Sequence, residues 1–234
     1  MPTGSPLPPL LSCARHHVTD SSVNTRPRAG VPAALPLALL EALRASDVPQ
    51  PDALDERHEE LVAKRLGLSR TVEVQIERFE QVARRGGAVP GVEFAALQRL
   101  VARRPDAGVV FSDAGRRAAR RILRERRGAG QALARLLPGR WRRALGFRLA
   151  RRVAGVTFGA ELERANESVH AVLNPTLAVV TDPGPACSFT GSALAELLRQ
   201  LAGFDGAMMH VSCRARGAEA CAWSATPAGS RSRT

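Results

Sequence analysis

Apolar side chains recur three and four residues apart through most of the first hundred residues. This spacing lines one face of an α-helix, so it predicts a series of amphipathic helices. The first two helices are predicted over residues 35–45 and 55–66. A third includes Val72 and Ala83, and a fourth covers residues 91–103. We therefore predict a helical extension over residues 34–104. The preceding residues 1–33 are rich in Pro, Ser and Thr and are predicted to form a disordered leader.

Part of this extension, residues 65–83, has features of a helix-turn-helix. Its sequence places a small turn before a capped helix that carries Arg and Gln. A helical hairpin that packs on the main domain explains the same residues. We favour the hairpin, because sequence segments that look like a helix-turn-helix recur by chance in chains rich in Arg and Leu.

Helical and alternating patterns are mixed in the second half of the chain. Val109–Phe111 is predicted to be extended, whereas Ala114–Arg126 and Arg140–Val153 have the period of amphipathic helices. Val169–Leu173 and Leu177–Thr181 are short apolar runs on either side of an Asn-Pro pair, so they predict strands.

The stretch 187–223 predicts a loop, one well-formed helix and a β-hairpin. Thr190 or Ser192 can cap the start of the helix, and Gly203 stands where a helix stop is expected. The apolar face of this helix consists of Leu194, Leu197, Leu198 and Leu201.

The predicted hairpin completes an α+β fold. Its arms are the apolar runs Ala207–Cys213 and Ala220–Ala225, which flank a turn that contains Arg and Gly. We predict an antiparallel sheet packed on helices over residues 105–225, preceded by the all-helical extension. Residues 226–234 are polar and are predicted to form a disordered tail.

Charge suggests an alternative class of function. The 234-residue chain has a formal net charge of +12, Lys64 is its only lysine and tyrosine is absent. This composition is typical of a GC-rich genome, which weakens a functional interpretation of any single arginine. Arginine is nevertheless dense between residues 116 and 127 and between 140 and 152. A basic regulatory protein that binds nucleic acid through these helices is therefore the alternative hypothesis.

Other classes are less favoured by the sequence. Four cysteines without paired spacing do not make a disulfide framework, which favours the reducing cytoplasm. No apolar run approaches the ~20 residues that span a bilayer. P-loop, Rossmann and nucleophile-elbow motifs are absent, so we favour a binding protein over an enzyme and assign no catalytic residue.

Three cysteines and a histidine are candidate metal ligands: Cys187, His210, Cys213 and Cys221. Zinc takes four thiolate or imidazole ligands in a tetrahedron. The C-x7-C spacing is wider than a usual zinc knuckle, and three free cysteines are also common in an ordinary core. Because side chains alternate along a strand, His210 and Cys213 reach one site only if a bulge or a strand end intervenes. Otherwise His210 is a packed or surface histidine, and a water, Glu219 or nothing fills the fourth position.

These residues resemble the C-terminal part of the 4-vinyl reductase domain family. Its zinc-bearing members have one cysteine before a helix, an acidic residue three before a second cysteine, and a third cysteine eight residues further on. Cys187, Cys213 and Cys221 match these cysteines in spacing, and His210 stands at the acidic position. The resemblance covers about residues 105–225 and is specific over 187–223. It implies a structural Zn²⁺ and a fold similar to certain subunits of the TRAPP vesicle-tethering complex.

The resemblance also implies a binding function. The family includes small-molecule sensor domains of bacterial phenol-responsive regulators and proteins linked to bacteriochlorophyll synthesis. We therefore expect a bacterial, cytoplasmic homodimer that binds a small apolar or aromatic (hydrocarbon-like) ligand and acts through a regulatory protein partner. The candidate pocket residues are Trp141, Phe147, Phe158, Phe189 and Met208, although each could equally belong to an ordinary core.

Overall fold

The computed structural model describes residues 30–47, 58–126, 139–165, 168–173 and 184–226, and for residues 58–69 it describes the backbone only. Three of the predicted segments lie outside these residues: most of the leader, the strand Leu177–Thr181, and the tail beyond Thr226. The helices are α1 (Ala34–Ser46), α2 (His58–Arg84), α3 (Gly91–Ala102), α4 (Ala107–Glu125), α5 (Gly139–Val153) and α6 (Cys187–Ala202). The strands are β1 (Gly30–Pro32), β2 (Ala88–Pro90), β3 (Ala160–Ala165), β4 (Ser168–Leu173), β5 (Met209–Ser212) and β6 (Ala222–Ala225).

The predicted α+β fold is confirmed. Strands β3, β4, β6 and β5 form, in that order, an antiparallel sheet. Leu162, Ala171 and Trp223 are partners across three of these strands, and all are buried. Because alternate residues of a strand share a face, these three mark the side of the sheet that the helices cover.

Helices α4 and α6 pack unusually closely against each other. A Cβ at Gly115 of α4 would lie 2.2 Å from the backbone oxygen of Phe189 in α6. Gly191, also in α6, faces the indole of Trp223, where a Cβ would lie 2.8 Å from Nε1. Glycine is therefore required at both positions, since any side chain would push α6 away from α4 or from the sheet.

The N-terminal part of the chain shares the core of the sheet domain. Leu37, Ala38 and Leu39 are fully buried, so α1 is enclosed on several sides, and it contacts α2, α3 and α4. Residues 34–40 of α1 are all apolar and buried, and a helical segment that is apolar in every direction requires such surroundings. One continuous set of buried apolar residues extends from Val31 to Trp223.

Three local predictions were wrong. The extension is not all-helical, because β1 and β2 pair as a short antiparallel ribbon at its edge. Val109–Phe111 is helical rather than extended, since α4 begins at Ala107. Helix α2 runs unbroken to Arg84, so the turn that a helix-turn-helix or a hairpin needs within residues 65–83 is absent there.

Candidate metal centre

Cys187 is held at the start of α6. The prediction placed it in a loop before a helix capped by Thr190 or Ser192. Instead, Cys187 is the first residue of α6, and its backbone N–H donates to the carbonyl of Gly184 at 2.9 Å. The tight turn before it depends on Gly184, whose φ of +117° is unfavourable for other residues.

The hairpin places His210, Cys213 and Cys221 near one another. Cys213 directly follows β5, and Cys221 directly precedes β6. The pairing of β5 with β6 changes register between His210 and Ser212. In a regular strand, the side chains of His210 and Cys213 would point to opposite faces. The bulge removes this alternation, so both side chains reach the same side of the sheet.

The ligand atoms of the four residues converge. The sulfur of Cys187 lies 4.0 Å from that of Cys213 and 3.6 Å from that of Cys221. All four ligand atoms, including a ring nitrogen of His210, lie within 4.8 Å of one another. Tetrahedral ligands at 2.3 Å from a zinc ion would be about 3.8 Å apart. This group, which we call the cysteine–histidine cluster, could therefore hold a metal ion.

The cluster is enclosed by the core, and one of its polar atoms has no protein partner among the described residues. The three cysteines are buried. The ring of His210 stacks on Trp223 with centroids 5.1 Å apart. Its Nε2 is buried and has no hydrogen-bond partner among the described residues. A buried nitrogen without a partner is costly, and a bound metal ion is one of the few ways to satisfy it.

The protonation of these groups is shifted by their surroundings. Burial raises the pKa of the Cys187 thiol to about 12, and the neighbouring Cys221 adds to this effect. Burial also acts against ionisation of Cys213, but the backbone N–H of Ala215 and the adjacent thiols outweigh it and lower its pKa. Burial and then the charge of Arg216 lower the pKa of His210. The imidazole is therefore neutral at pH 7, which is the form that binds a metal.

The candidate pocket residues differ in how deeply they are buried. Phe158 and Phe189 are buried with ring centroids 6.3 Å apart. Trp141 is 60% exposed, while Phe147 and Met208 are half-buried at the edge of the core. Phe94 of α3 is not among the predicted pocket residues, yet its ring meets Phe189 edge to face at 5.8 Å. The sequence places Phe94 on the apolar face of a predicted helix, but this position alone does not indicate that the ring contacts Phe189.

A second feature that the sequence did not indicate is the buried amide of Gln98. This side chain is fully buried, and neither its oxygen nor its nitrogen has a hydrogen-bond partner among the described residues. Gln98 lies one helical turn after Phe94 on α3, so the two side chains share a face. An unsatisfied amide beside an aromatic cluster is a polar group available to a buried water or ligand.

An open cleft lies between the β1–β2 ribbon and the C-terminal end of α4. Its volume is about 400 Å³, and alanines and glycines form most of its wall. The polar groups are Glu125, Arg126 and Thr157, and the Arg126 guanidinium donates to the Thr157 hydroxyl at 3.5 Å. None of the five predicted pocket residues lines this cleft.

The fold and the cluster together define an α+β domain with a buried set of three cysteines and one histidine. No protein-family model and no curated protein matches the chain. Among the described residues, no helix is both long enough and apolar enough to span a bilayer.

Proposed function

We propose that the chain is a zinc-stabilised domain that binds a small apolar or aromatic molecule and signals through a protein partner. The observation that supports this proposal most strongly is the convergence of the cysteine–histidine cluster. Thiolate and imidazole are the ligands that zinc prefers in structural sites. The likeness to the 4-vinyl reductase domain supports the same proposal through the spacing of the three cysteines.

The role proposed for zinc is structural. Its four ligands come from the start of α6, from β5 and from the two ends of the hairpin turn. Four protein ligands leave no open position for a water, which is the arrangement of structural rather than catalytic sites. When bound, zinc would cross-link α6 to the edge of the sheet. The proposal therefore assigns no catalytic reaction to this centre.

Removal of the metal tests this role. Because folding and thiolate ligation are coupled, a chelator should lower the melting temperature of the purified protein. Cys213→Ser should lower it similarly and should make it insensitive to the chelator. Cys13, the fourth cysteine, stands in the predicted leader and outside the proposed ligand set. Cys13→Ser is therefore the matched control and should leave both the melting temperature and the chelator response unchanged. A protein whose melting temperature does not respond to the chelator would contradict the proposal.

The proposed ligand site is the cleft beside the β1–β2 ribbon. Its volume of about 400 Å³ lies within the range of small-molecule sites, and a mostly apolar wall with a few polar groups is typical of them. The buried aromatic cluster of Phe94, Phe158 and Phe189 lies in the same core. In this proposal the domain is a cytoplasmic homodimer, and binding alters the surface that the regulatory partner contacts.

Blocking the cleft tests the ligand site. Ala88 lines the cleft from an exposed position, so Ala88→Trp should fill it without disturbing the core. Ala96→Trp places the same side chain at an exposed position of α3 and serves as the control. Binding of toluene, phenol or benzoate, measured by calorimetry, should be lost in Ala88→Trp alone. Equal binding by both variants, or no saturable binding by the native protein, would contradict this site.

A further inference from the structure

Helix α5 carries positive charge without any compensating negative charge. Its fifteen residues, Gly139–Val153, include no Asp or Glu. They include six arginines: Arg140, Arg142, Arg143, Arg148, Arg151 and Arg152. Like charges at this density destabilise an isolated helix, so α5 depends on packing against the rest of the molecule.

One face of α5 provides that packing. Gly146, Ala150 and Val153 are buried. A Cβ at Gly146 would lie only 1.9 Å from the backbone oxygen of Leu201, so α5 is in close contact with α6. The apolar face of α5 is therefore already covered by the protein.

The opposite face of α5 is solvent-exposed and combines an aromatic ring with arginines. Trp141 is 60% exposed. Arg148 follows it by seven residues, and Arg151 and Arg152 follow Arg148 by three and four, so all four lie on the same side of the helix. All three arginines are exposed. We call these four residues the α5 face, which extends about 16 Å along the helix axis.

The arginines of α5 differ from those of α4. In α4, Arg117 pairs with Asp113 at 2.6 Å, Arg120 pairs with Glu196 at 2.8 Å, and Arg121 pairs with Glu41. Within the described part of the chain, none of the six α5 arginines takes part in an ion pair. Both helices are rich in arginine. On α4 most of this positive charge is neutralised by ion pairs, whereas on α5 it remains available to a negatively charged partner.

We propose that the α5 face binds single-stranded nucleic acid. Guanidinium groups match phosphate oxygens in geometry and charge, so Arg148, Arg151 and Arg152 are suited to successive phosphates. The indole of Trp141 offers a surface on which an unpaired base can stack, and this combination of basic track and aromatic platform is typical of single-strand binding. Bases in a duplex are already stacked on their neighbours and cannot stack on the indole of Trp141.

A membrane surface fits the α5 face less well. Helices that lie in a bilayer interface insert a broad apolar face beneath a basic one. Here Ala150 and Val153 are buried in the protein, and Trp141 is the only large apolar side chain exposed on α5. Anionic vesicles therefore serve as a competing partner in the test.

The proposal is tested with the full-length protein and a fluorescent 20-nucleotide oligothymidylate, by anisotropy at several salt concentrations. One variant combines Arg148→Gln, Arg151→Gln and Arg152→Gln. The control combines Arg44→Gln, Arg70→Gln and Arg85→Gln, which are also exposed and make no ion pair among the described residues. Both triple variants lower the net charge by the same amount, and Gln keeps a similar helix propensity.

We expect the α5 triple variant to bind at least about tenfold more weakly and to have a shallower salt dependence, its log–log slope reduced by about 2 for three lost phosphate contacts. The control should change the affinity by less than about threefold. Trp141→Ala should weaken binding by roughly 5- to 150-fold at unchanged salt slope. Equal loss in both triple variants, tighter binding to a 20-base-pair duplex, or tighter binding to phosphatidylserine vesicles at the same salt would each overturn the proposal.

Discussion

Glu196 shows how much a single buried charge depends on its partners. Its side chain is 4% exposed and lies between α4 and α6. Arg120 of α4 donates to it at 2.8 Å, and Arg199 and Gln200 donate from its own helix at 2.8 and 3.0 Å. Burial alone would raise the pKa of Glu196, but these donors outweigh it and lower the pKa to about 2. A carboxylate so well satisfied stabilises the contact between the two helices.

The pH dependence of Glu196→Gln tests this account. The pKa of Glu196 is lowered from its ordinary value of 4.5 to about 2. This shift contributes up to about 3 kcal/mol to the free energy of unfolding. The contribution is fully present above pH 4.5 and is lost as the pH falls toward 2. We expect Glu196→Gln to lower the free energy of unfolding by about 1–3 kcal/mol at pH 7 and by less than half as much at pH 3. Urea denaturation at both pH values measures the difference.

Glu80→Gln is the control for this prediction. Glu80 pairs with Arg84 on the surface of α2, and its side chain is 37% exposed. Exposed pairs of this kind contribute little, so we expect a change below about 0.5 kcal/mol. An effect of Glu196→Gln that is as small as this, or that does not depend on pH, would contradict the account.

The sequence predicts the cysteines of the site better than its histidine. Cys187, Cys213 and Cys221 were identified by residue type and spacing, and the structure brings them together. His210 joins them only because β5 carries a bulge. A bulge results from the pairing of two strands, and no residue of β5 specifies it alone. Gln98 and Phe94 were missed for a similar reason, since their significance depends on which elements face α3.

At the scale of the elements, the contact between α4 and α6 depends on Gly115. Its Cα lies so close to the backbone of Phe189 that a methyl group has no room. Gly115→Ala should therefore destabilise the protein by about 1–3 kcal/mol, because the helices must separate to accept the methyl group. The chain offers a matched control in Gly108, which lies in the same helix with nothing within 4 Å of its Cβ position.

Gly108→Ala should be neutral or should stabilise the protein by up to about 1 kcal/mol, since alanine is the better helix former. Thermal or urea denaturation of the two variants gives the comparison. If the two alanines had similar effects, helix propensity would explain both, and the close packing of α4 on α6 would lose its support.

Elements whose apolar residues follow a helical or alternating period agree with their predictions, whereas the start of α4 and the strands β1 and β2 do not. The helix α6 and the β5–β6 hairpin follow the pattern of their sequences. The start of α4 does not, because the β-branched pair before Phe111 favours a strand locally. Burial of Val110 and Phe111 in the core overrides that preference. Strands β1 and β2 have three residues each, which is too short for any period to be visible.

At the scale of the whole molecule, the predicted extension and the predicted ligand-binding domain share one core. Helix α1 lies against α4, and Arg104 joins the two sides of the predicted boundary through Asp47 and Asp106 at 2.7 and 2.8 Å. Pro105 stands at this boundary, but the sequence cannot show that the faces on either side of it meet. The three cysteines of the cysteine–histidine cluster belong to this same core, to which the strands of the hairpin contribute few buried side chains.

The central claim is that the cysteine–histidine cluster holds zinc, and its most direct test is zinc K-edge X-ray absorption of the purified full-length protein. We expect one zinc per chain, with three sulfur neighbours at about 2.3 Å and one nitrogen neighbour at about 2.0–2.1 Å. His210→Ala should keep the three sulfurs and lose the imidazole scattering. A protein without zinc, or zinc surrounded only by oxygen and nitrogen, would contradict the claim.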